Sequence, residues 1–133
     1  DVRPASSLDA LLPQVDIVIV SSPLTSETRG LFDAKRLARM KRGAWLVNIA
    51  RGPIVDTQAL IDALGRGHLG GAALDAVDPE PLPPSHALWR APNLVITPHV
   101  ATAGGFAAVG AHIAAEVRRV LAGEQPASRV SLG

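Results

Sequence analysis

The run of residues 44–64 constrains the fold more than any other part of the chain. Ala44-Trp45-Leu46-Val47 is short, apolar and preceded by Gly43, the signature of a buried strand. Asn48-Ile49-Ala50-Arg51-Gly52-Pro53-Ile54-Val55-Asp56 follows, with a tight Gly-Pro turn at its centre. Asp56-Thr57-Gln58-Ala59-Leu60-Ile61-Asp62-Ala63-Leu64 then has helical spacing, with Asp56 placed to cap it. Strand, tight turn and helix make half of a βαβ unit. In open α/β sheets, ligands bind in the crevice outside the carboxyl ends of the strands. Arg51 lies on that turn, where a guanidinium can grip a carboxylate with two parallel hydrogen bonds. Taken alone it reads as a solvated loop arginine, so the rest of the chain must supply its company.

Other segments repeat the pattern. Ser6-Ser7-Leu8-Asp9-Ala10-Leu11-Leu12 reads as a short serine-capped helix stopped by Pro13. Asp16-Ile17-Val18-Ile19-Val20 is β-branched and almost wholly apolar, as expected of a strand covered on both faces. A polar loop, Ser21 to Thr28, follows it. Asp33 caps a helix reaching Met40, with Leu37 and Met40 inward and Gly43 beyond its end. Gly65-Arg66-Gly67 closes the helix that begins at Asp56. Gly70-Gly71-Ala72-Ala73-Leu74-Asp75 reads as a third strand, small enough to let a backbone or a flat ligand come close. Asp78-Pro79-Glu80-Pro81-Leu82-Pro83-Pro84 is a stiff loop in place of a crossing helix. Leu94-Val95-Ile96-Thr97 is a fourth strand ending at Pro98-His99. The last helix is expected to start near Thr102 or Ala103, with Phe106, Val109, Ile113, Val117, Val120 and Leu121 on one face and Gly123 and Pro126 ending it.

This alternation predicts an α/β fold: a Rossmann-like, doubly wound parallel sheet, second half only, with helices on both faces. With 133 residues there is room for one modest domain, and few aromatics leave its core to Ala, Val, Leu and Ile. A formal net charge of +1 gives no footing for nucleic acid or an anionic membrane. No apolar run is long enough to span a bilayer. The absence of cysteine excludes disulfides and thiolate metal sites and suits a reducing compartment. No metal site is expected.

Arg51, Glu80 and His99 all fall just beyond strand ends, and Asp75 closes the third strand. Parallel strands share one carboxyl end, so the four are expected to border one crevice. Pro79 and Pro81 flank Glu80, and Pro98 fixes the approach to His99. A stiff backbone around a carboxylate and an imidazole suits general acid/base chemistry. Singly, Glu80 reads as a solvated loop acid and His99 as a helix-entry histidine; together they favour a site. His68, His86 and His112 are expected to be structural or solvated.

The segments 48–56, Gly71-Ala72-Ala73-Leu74-Asp75, Pro79-Glu80-Pro81-Leu82-Pro83, Pro92-Asn93-Leu94-Val95 and Thr97-Pro98-His99 resemble, in that order, the NAD(P)-dependent D-isomer-specific 2-hydroxyacid dehydrogenases. The resemblance implies an enzyme interconverting D-2-hydroxy acids and 2-oxo acids with NAD or NADP. It implies that Arg51 holds the substrate's carboxylate and carbonyl oxygen, that His99 exchanges the hydroxyl proton and that Glu80 pairs with His99. It implies that Ser22, Pro23 and Thr28 lie beside the adenosine and nicotinamide riboside. Ile49, Ala50 and Arg51 would line the cofactor with their backbone. Asp75 would lie near the nicotinamide carboxamide, and Ala101 in the short turn after His99, itself beside the cofactor. A cytoplasmic homodimer is implied for the full-length protein. Residues 1–123 would form the C-terminal part of the NAD(P)-binding domain and 124–133 an exit segment toward a substrate domain.

The family's Gly-x-Gly-x-x-Gly loop, which opens a helix after a strand, is expected upstream of Asp1. The isolated chain is therefore expected to bear an apolar edge at residues 16–20, to self-associate and to hold NAD(P)H weakly. The turn 100–105 departs from the family's usual Ile-Gly-Ser or Ile-Gly-Gly form. Formate dehydrogenases carry glutamine where Glu80 stands, so Glu80 speaks against formate. Pro-Glu-Pro-Leu-Pro followed by Leu88-Trp89 looks closer to glyoxylate and hydroxypyruvate reductases than to phosphoglycerate dehydrogenases. The alternatives are a dinucleotide-sensing corepressor of the same fold and an inactive fragment.

Overall fold

A computed structural model describes residues 7–101 and 106–125 of the chain. The chain forms two compact units, residues 1–101 and 102–133. In the first, α1 (Leu8–Leu11) leads to β1 (Ile17–Val20), α2 (Ala34–Arg39), β2 (Trp45–Asn48), α3 (Thr57–Gly65), β3 (Gly71–Leu74) and β4 (Leu94–Ile96). The strands form one parallel sheet in the order β1-β2-β3-β4. The fold is thus the Rossmann-like α/β arrangement expected from the alternation.

Local chemistry sets the helix boundaries. The Ser7, Asp33 and Asp56 side chains each accept a hydrogen bond from a backbone amide in the first turn of α1, α2 and α3. As expected, the first α-helix ends ahead of Pro13, but the chain stays helical through that proline. Pro13 sits in the first turn of a 3-10 helix, Leu12–Gln14, where a missing N–H costs nothing. A further 3-10 turn, Ala87–Arg90, lies after the proline loop; His86 caps it by accepting the Leu88 amide at Nδ1, 3.2 Å away.

Strand pairing separates the two faces of the sheet. Val20, Asn48, Leu74 and Ile96 stand in one row across it, with Val18, Leu46, Ala72 and Leu94 in the row two residues earlier. Leu46, Ala72, Leu74 and Val20 are buried with Leu37, Met40, Leu60, Ala63 and Leu64 from α2, α3 and their ends. The opposite face carries Ile17, Ile19, Trp45 and Val95. Ile17 is 58% and Ile19 61% exposed, so β1 is not covered on both faces as its composition suggested. A continuous β-branched run leaves no polar–apolar alternation to tell a covered face from an open one. β1 is also an edge of this sheet, as anticipated. The small residues of β3 admit a flat group, and that group is the chain's own indole: a Cβ on Gly71 would lie 2.6 Å from the Trp45 ring.

The second unit contains α4 (Phe106–Leu121). Its end closes as a Schellman motif: Gly123 takes φ 78, its amide bonds the Val120 carbonyl and the Glu124 amide the Arg119 carbonyl. Ile113, Val117, Val120 and Leu121 are exposed. The expected start at Thr102 or Ala103, and Pro126, lie outside the described residues.

Candidate active site

The row Val20–Asn48–Leu74–Ile96 is the carboxyl edge of the sheet, and hydrogen bonding continues one step past it. The Ile49 amide bonds the Val20 carbonyl at 3.1 Å, Asp75 bonds Asn48 at 2.9 Å and Thr97 bonds Leu74 at 3.0 Å. Ser22, Arg51, Asp75 and His99 therefore leave the sheet along one edge, as the topology requires.

The turn after β2 is built by Asn48. This side chain is 1% exposed; its Oδ1 accepts the Ala50 amide at 3.0 Å and its Nδ2 donates to the Arg51 carbonyl at 3.0 Å. A buried amide with both ends satisfied holds a turn firmly. Ala50 is buried, Ile49 is exposed, and the exposed Arg51 donates from Nη1 to the Ala50 carbonyl at 2.8 Å. Gly52 follows because nothing larger fits: a Cβ there would stand 2.0 Å from the Val77 carbonyl oxygen. Thr57 adds a hydrogen bond from its hydroxyl to the Asp78 carbonyl at 3.2 Å. These contacts lay the proline loop against the Arg51 turn.

Glu80 projects from that loop to His99. Its Oε1 lies 2.8 Å from His99 Nδ1, with the two side chains 41% and 39% exposed. An ionised carboxylate only accepts, so Nδ1 carries the proton of this contact and Nε2 is left for another partner. His99 itself has φ 56, in the left-handed region where histidine is tolerated but not at ease. Its amide bonds the Thr97 carbonyl two residues back at 2.9 Å.

Asp75 faces the backbone of this turn. Buried at the end of β3, its Oδ1 accepts the Thr97 hydroxyl at 2.5 Å and the Val100 amide at 2.9 Å, and its Oδ2 accepts the Ala101 amide at 2.8 Å. The Thr97 hydrogen bond, then the two amides and the nearby His99, hold its carboxyl below the usual carboxylate range, against the desolvation that pushes it up. Ala101 is exposed, with its amide turned to Asp75.

The loop after β1 is braced internally. The Thr28 hydroxyl donates to the Pro23 carbonyl at 2.7 Å and accepts the Thr25 amide at 2.7 Å. A groove of about 310 Å³ runs along β1 between Leu8, Leu11, Ile17, Ile19 and Phe32 and reaches Ser22 at the carboxyl end. The geometry thus joins Glu80 to His99 and Asp75 to the His99 turn. It places Arg51 and Ser22 on the same edge without a hydrogen bond to that pair. Sequence reasoning gave no role to Asn48 or Thr97 and read Gly52 only as part of the turn; a lone polar residue closing an apolar run was the available signal for Asn48.

The family model for the D-isomer specific 2-hydroxyacid dehydrogenase, NAD binding domain, matches residues 1–101. The chain belongs to the D-isomer specific 2-hydroxyacid dehydrogenase family. It is 51% identical over 98 residues to a glyoxylate reductase of Thermofilum pendens, covering 74% of this chain and 29% of that protein. It is 46% identical over 93 residues to a mitochondrial formate dehydrogenase of Hordeum vulgare, covering 70% of this chain and 25% of that one. A crystal structure of a family member from Xanthobacter autotrophicus, in complex with NADPH and MES, superposes with TM-score 0.86 at 44% identity, over 93% of this chain and 51% of that one. The chain therefore spans from about a quarter to half of these relatives.

The fit of a dinucleotide to this family member can be judged from its own residues. The strand-end edge offers the exposed Ile49, the braced 22–28 loop and backbone at Ala50, which suits the flat, polar-edged halves of such a molecule. One further segment, Gly65-Arg66-Gly67-His68-Leu69-Gly70, has the Gly-x-Gly-x-x-Gly spacing. It closes α3 and enters β3, the reverse of the phosphate-binding context, so it presents a helix C-terminus that disfavours anions. Its Gly70 serves packing: a Cβ there would meet the Gly43 carbonyl oxygen at 2.4 Å.

Proposed function

We propose that the protein carrying this chain is an NAD(P)-dependent oxidoreductase that interconverts D-2-hydroxy acids and 2-oxo acids, of the glyoxylate/hydroxypyruvate reductase kind. The observation that carries this reading is the 2.8 Å contact between Glu80 Oε1 and His99 Nδ1 at the carboxyl edge of the sheet. Reducing a 2-oxo acid needs a cation for the carboxylate and a proton for the carbonyl oxygen. Arg51 supplies the first, with the planar fork that matches a carboxylate. His99 supplies the second from Nε2, and Glu80 orients the ring through Nδ1. The nicotinamide, when bound, supplies the hydride that no side chain can carry. Ser22, Pro23, Thr28, Ile49, Ala50, Asp75 and Ala101 would border it; the braced 22–28 loop and the Asn48-held turn support that placement. The acid/base pair has work to do in 2-oxo acid reduction, whereas formate, a hydride donor without a hydroxyl proton to exchange, needs no such pair.

The test is to assay the intact protein with NADH and NADPH against glyoxylate and hydroxypyruvate, and with NAD⁺ against formate. Turnover of a 2-oxo acid with no formate oxidation is the expected result. Formate oxidation would overturn the substrate reading. Tight cofactor binding without turnover of any of the three would favour the dinucleotide-sensing alternative.

A further inference from the structure

The left-handed backbone at His99 needs an explanation beyond Pro98. Conformations of this kind strain a non-glycine residue and persist only where their surroundings impose them. Here the His99 amide bonds back to Thr97, and the next two amides, Val100 and Ala101, both bond Asp75. The piece that closes the ring is the Thr97 hydroxyl, 2.5 Å from Asp75 Oδ1 on the other side of His99. Asp75 thus grips the chain before and after His99. With Thr97 attached, the carboxylate cannot rotate without breaking bonds on both sides. Without it, the same oxygens hold only the far side of the turn.

We propose that Thr97 is a positioning residue for the reaction assigned above: its hydroxyl, through Asp75, locks the 97–101 turn so that His99 meets Glu80. The inference rests on the dehydrogenase reading for its kinetic consequence, and on hydrogen-bond geometry alone for its structural one. Thr97 makes no hydrogen bond to the imidazole or to the Glu80 carboxylate among the described residues; its hydroxyl acts through Asp75. Misplacing a catalytic group by about 1 Å can cost roughly a hundredfold in rate. The loss should therefore fall on kcat, while the substrate's grip on Arg51, set by the separate Asn48 turn, is kept.

The test compares Thr97→Val and Thr97→Ser in the intact protein. Valine keeps the shape and removes the donor; serine keeps the donor and removes the methyl. For Thr97→Val we expect kcat for 2-oxo acid reduction to fall by about 10- to 100-fold, with KM for the 2-oxo acid within about threefold of the parent. Thr97→Ser should stay within about threefold of parental kcat. A Thr97→Val enzyme with parental kcat overturns the proposal, as does a Thr97→Ser enzyme no better than the valine variant. If the valine variant does not fold, serine alone decides: parental kcat supports the hydroxyl's role, and a reduced kcat overturns it. If the parent turns over no 2-oxo acid, the dehydrogenase reading has failed, and nitrogen–proton NMR then decides the positioning. The His99 ring resonances must move in Thr97→Val and return in Thr97→Ser, and unmoved resonances would overturn it.

Discussion

The turns after β2 and after β4 solve one problem in two ways. Each presents a single basic side chain at the carboxyl edge, Arg51 in one and His99 in the other, and each is held by a buried polar residue. In the first turn that residue is Asn48, a neutral amide bonding amide and carbonyl groups two and three residues further along the same chain. Arg51 then sits in ordinary extended backbone, at φ −141. In the second turn the holding residue is Asp75, an ionised carboxylate reaching from the neighbouring strand to residues 22 to 26 positions away. His99 is held at φ 56. A local, uncharged brace suffices where the backbone is already comfortable. A strained conformation needs three hydrogen bonds to a charge, and it acquires that charge's dependence on pH.

The sharpest way to break this comparison is to remove the two presented side chains. His99→Asn keeps a residue that tolerates left-handed backbone, so strain does not confuse the outcome. We expect it to lower kcat for 2-oxo acid reduction by about 10²–10⁴-fold, the range of a lost general acid. Arg51→Lys should act differently. A point charge replaces the planar fork, and losing one charge-assisted hydrogen bond costs about 1.5–3 kcal/mol, or roughly 10- to 100-fold in kcat/KM. Steady-state kinetics on the intact protein separates the two. Equal kcat losses with unchanged KM in both variants would mean that the turns do not divide binding from proton transfer.

A third measurement probes how the two turns are kept in one site. Gly52 joins the Arg51 turn to the loop bearing Glu80, with the Val77 carbonyl where a Cβ would be. Backbone cannot swing aside as a flexible side chain can. Gly52→Ala should destabilise by about 1–3 kcal/mol, as overpacked sites do, and lower the thermal midpoint. Asn48→Ala, by leaving the Ala50 amide without its acceptor, should cost about 1–3 kcal/mol by a different route. If Gly52→Ala melts like the parent, the proline loop is not seated on this turn.

How much of this was legible in the sequence follows the same division. Asp33 and Asp56 were readable as helix caps because a cap reaches only three residues ahead. The Arg51 turn was readable because its glycine, proline and flanking strand are contiguous. The alignment of Arg51, Glu80 and His99 along one edge followed from parallel topology, and the Glu80–His99 contact was anticipated only through the family resemblance. What escaped was non-local. Thr97 meets Asp75 across 22 residues, and Gly52 meets Val77 across the gap between two loops. No spacing rule within a segment encodes such pairs. The open face of β1 escaped for another reason: isoleucine and valine alternate with each other, so Ile17 and Ile19 look no different from Val18 and Val20.

The smallest effect expected is also the most specific to the comparison, because only one brace can titrate. The Asp75 carboxyl is held below its ordinary value in the folded protein, chiefly by the Thr97 hydroxyl. A depressed folded value means that the unfolded chain takes up the proton first as acid is added. The stabilisation is therefore complete above the ordinary carboxylate range, about pH 4, and is lost as pH falls through the lower folded value. Amide hydrogen exchange reads this locally. After correction for intrinsic rates, protection at Val100 and Ala101 should hold steady from neutral pH down to about 4 and then decline. Protection at Ala50, whose acceptor is the Asn48 amide oxygen, should show no such step over the same range. Asp75→Asn should remove the acid step from Val100 and Ala101 while lowering their protection at neutral pH, since a neutral acceptor bonds an amide more weakly than a carboxylate. If all three amides lose protection together in the parent, the acid response is global unfolding, and the turn after β4 has no separate pH sensitivity.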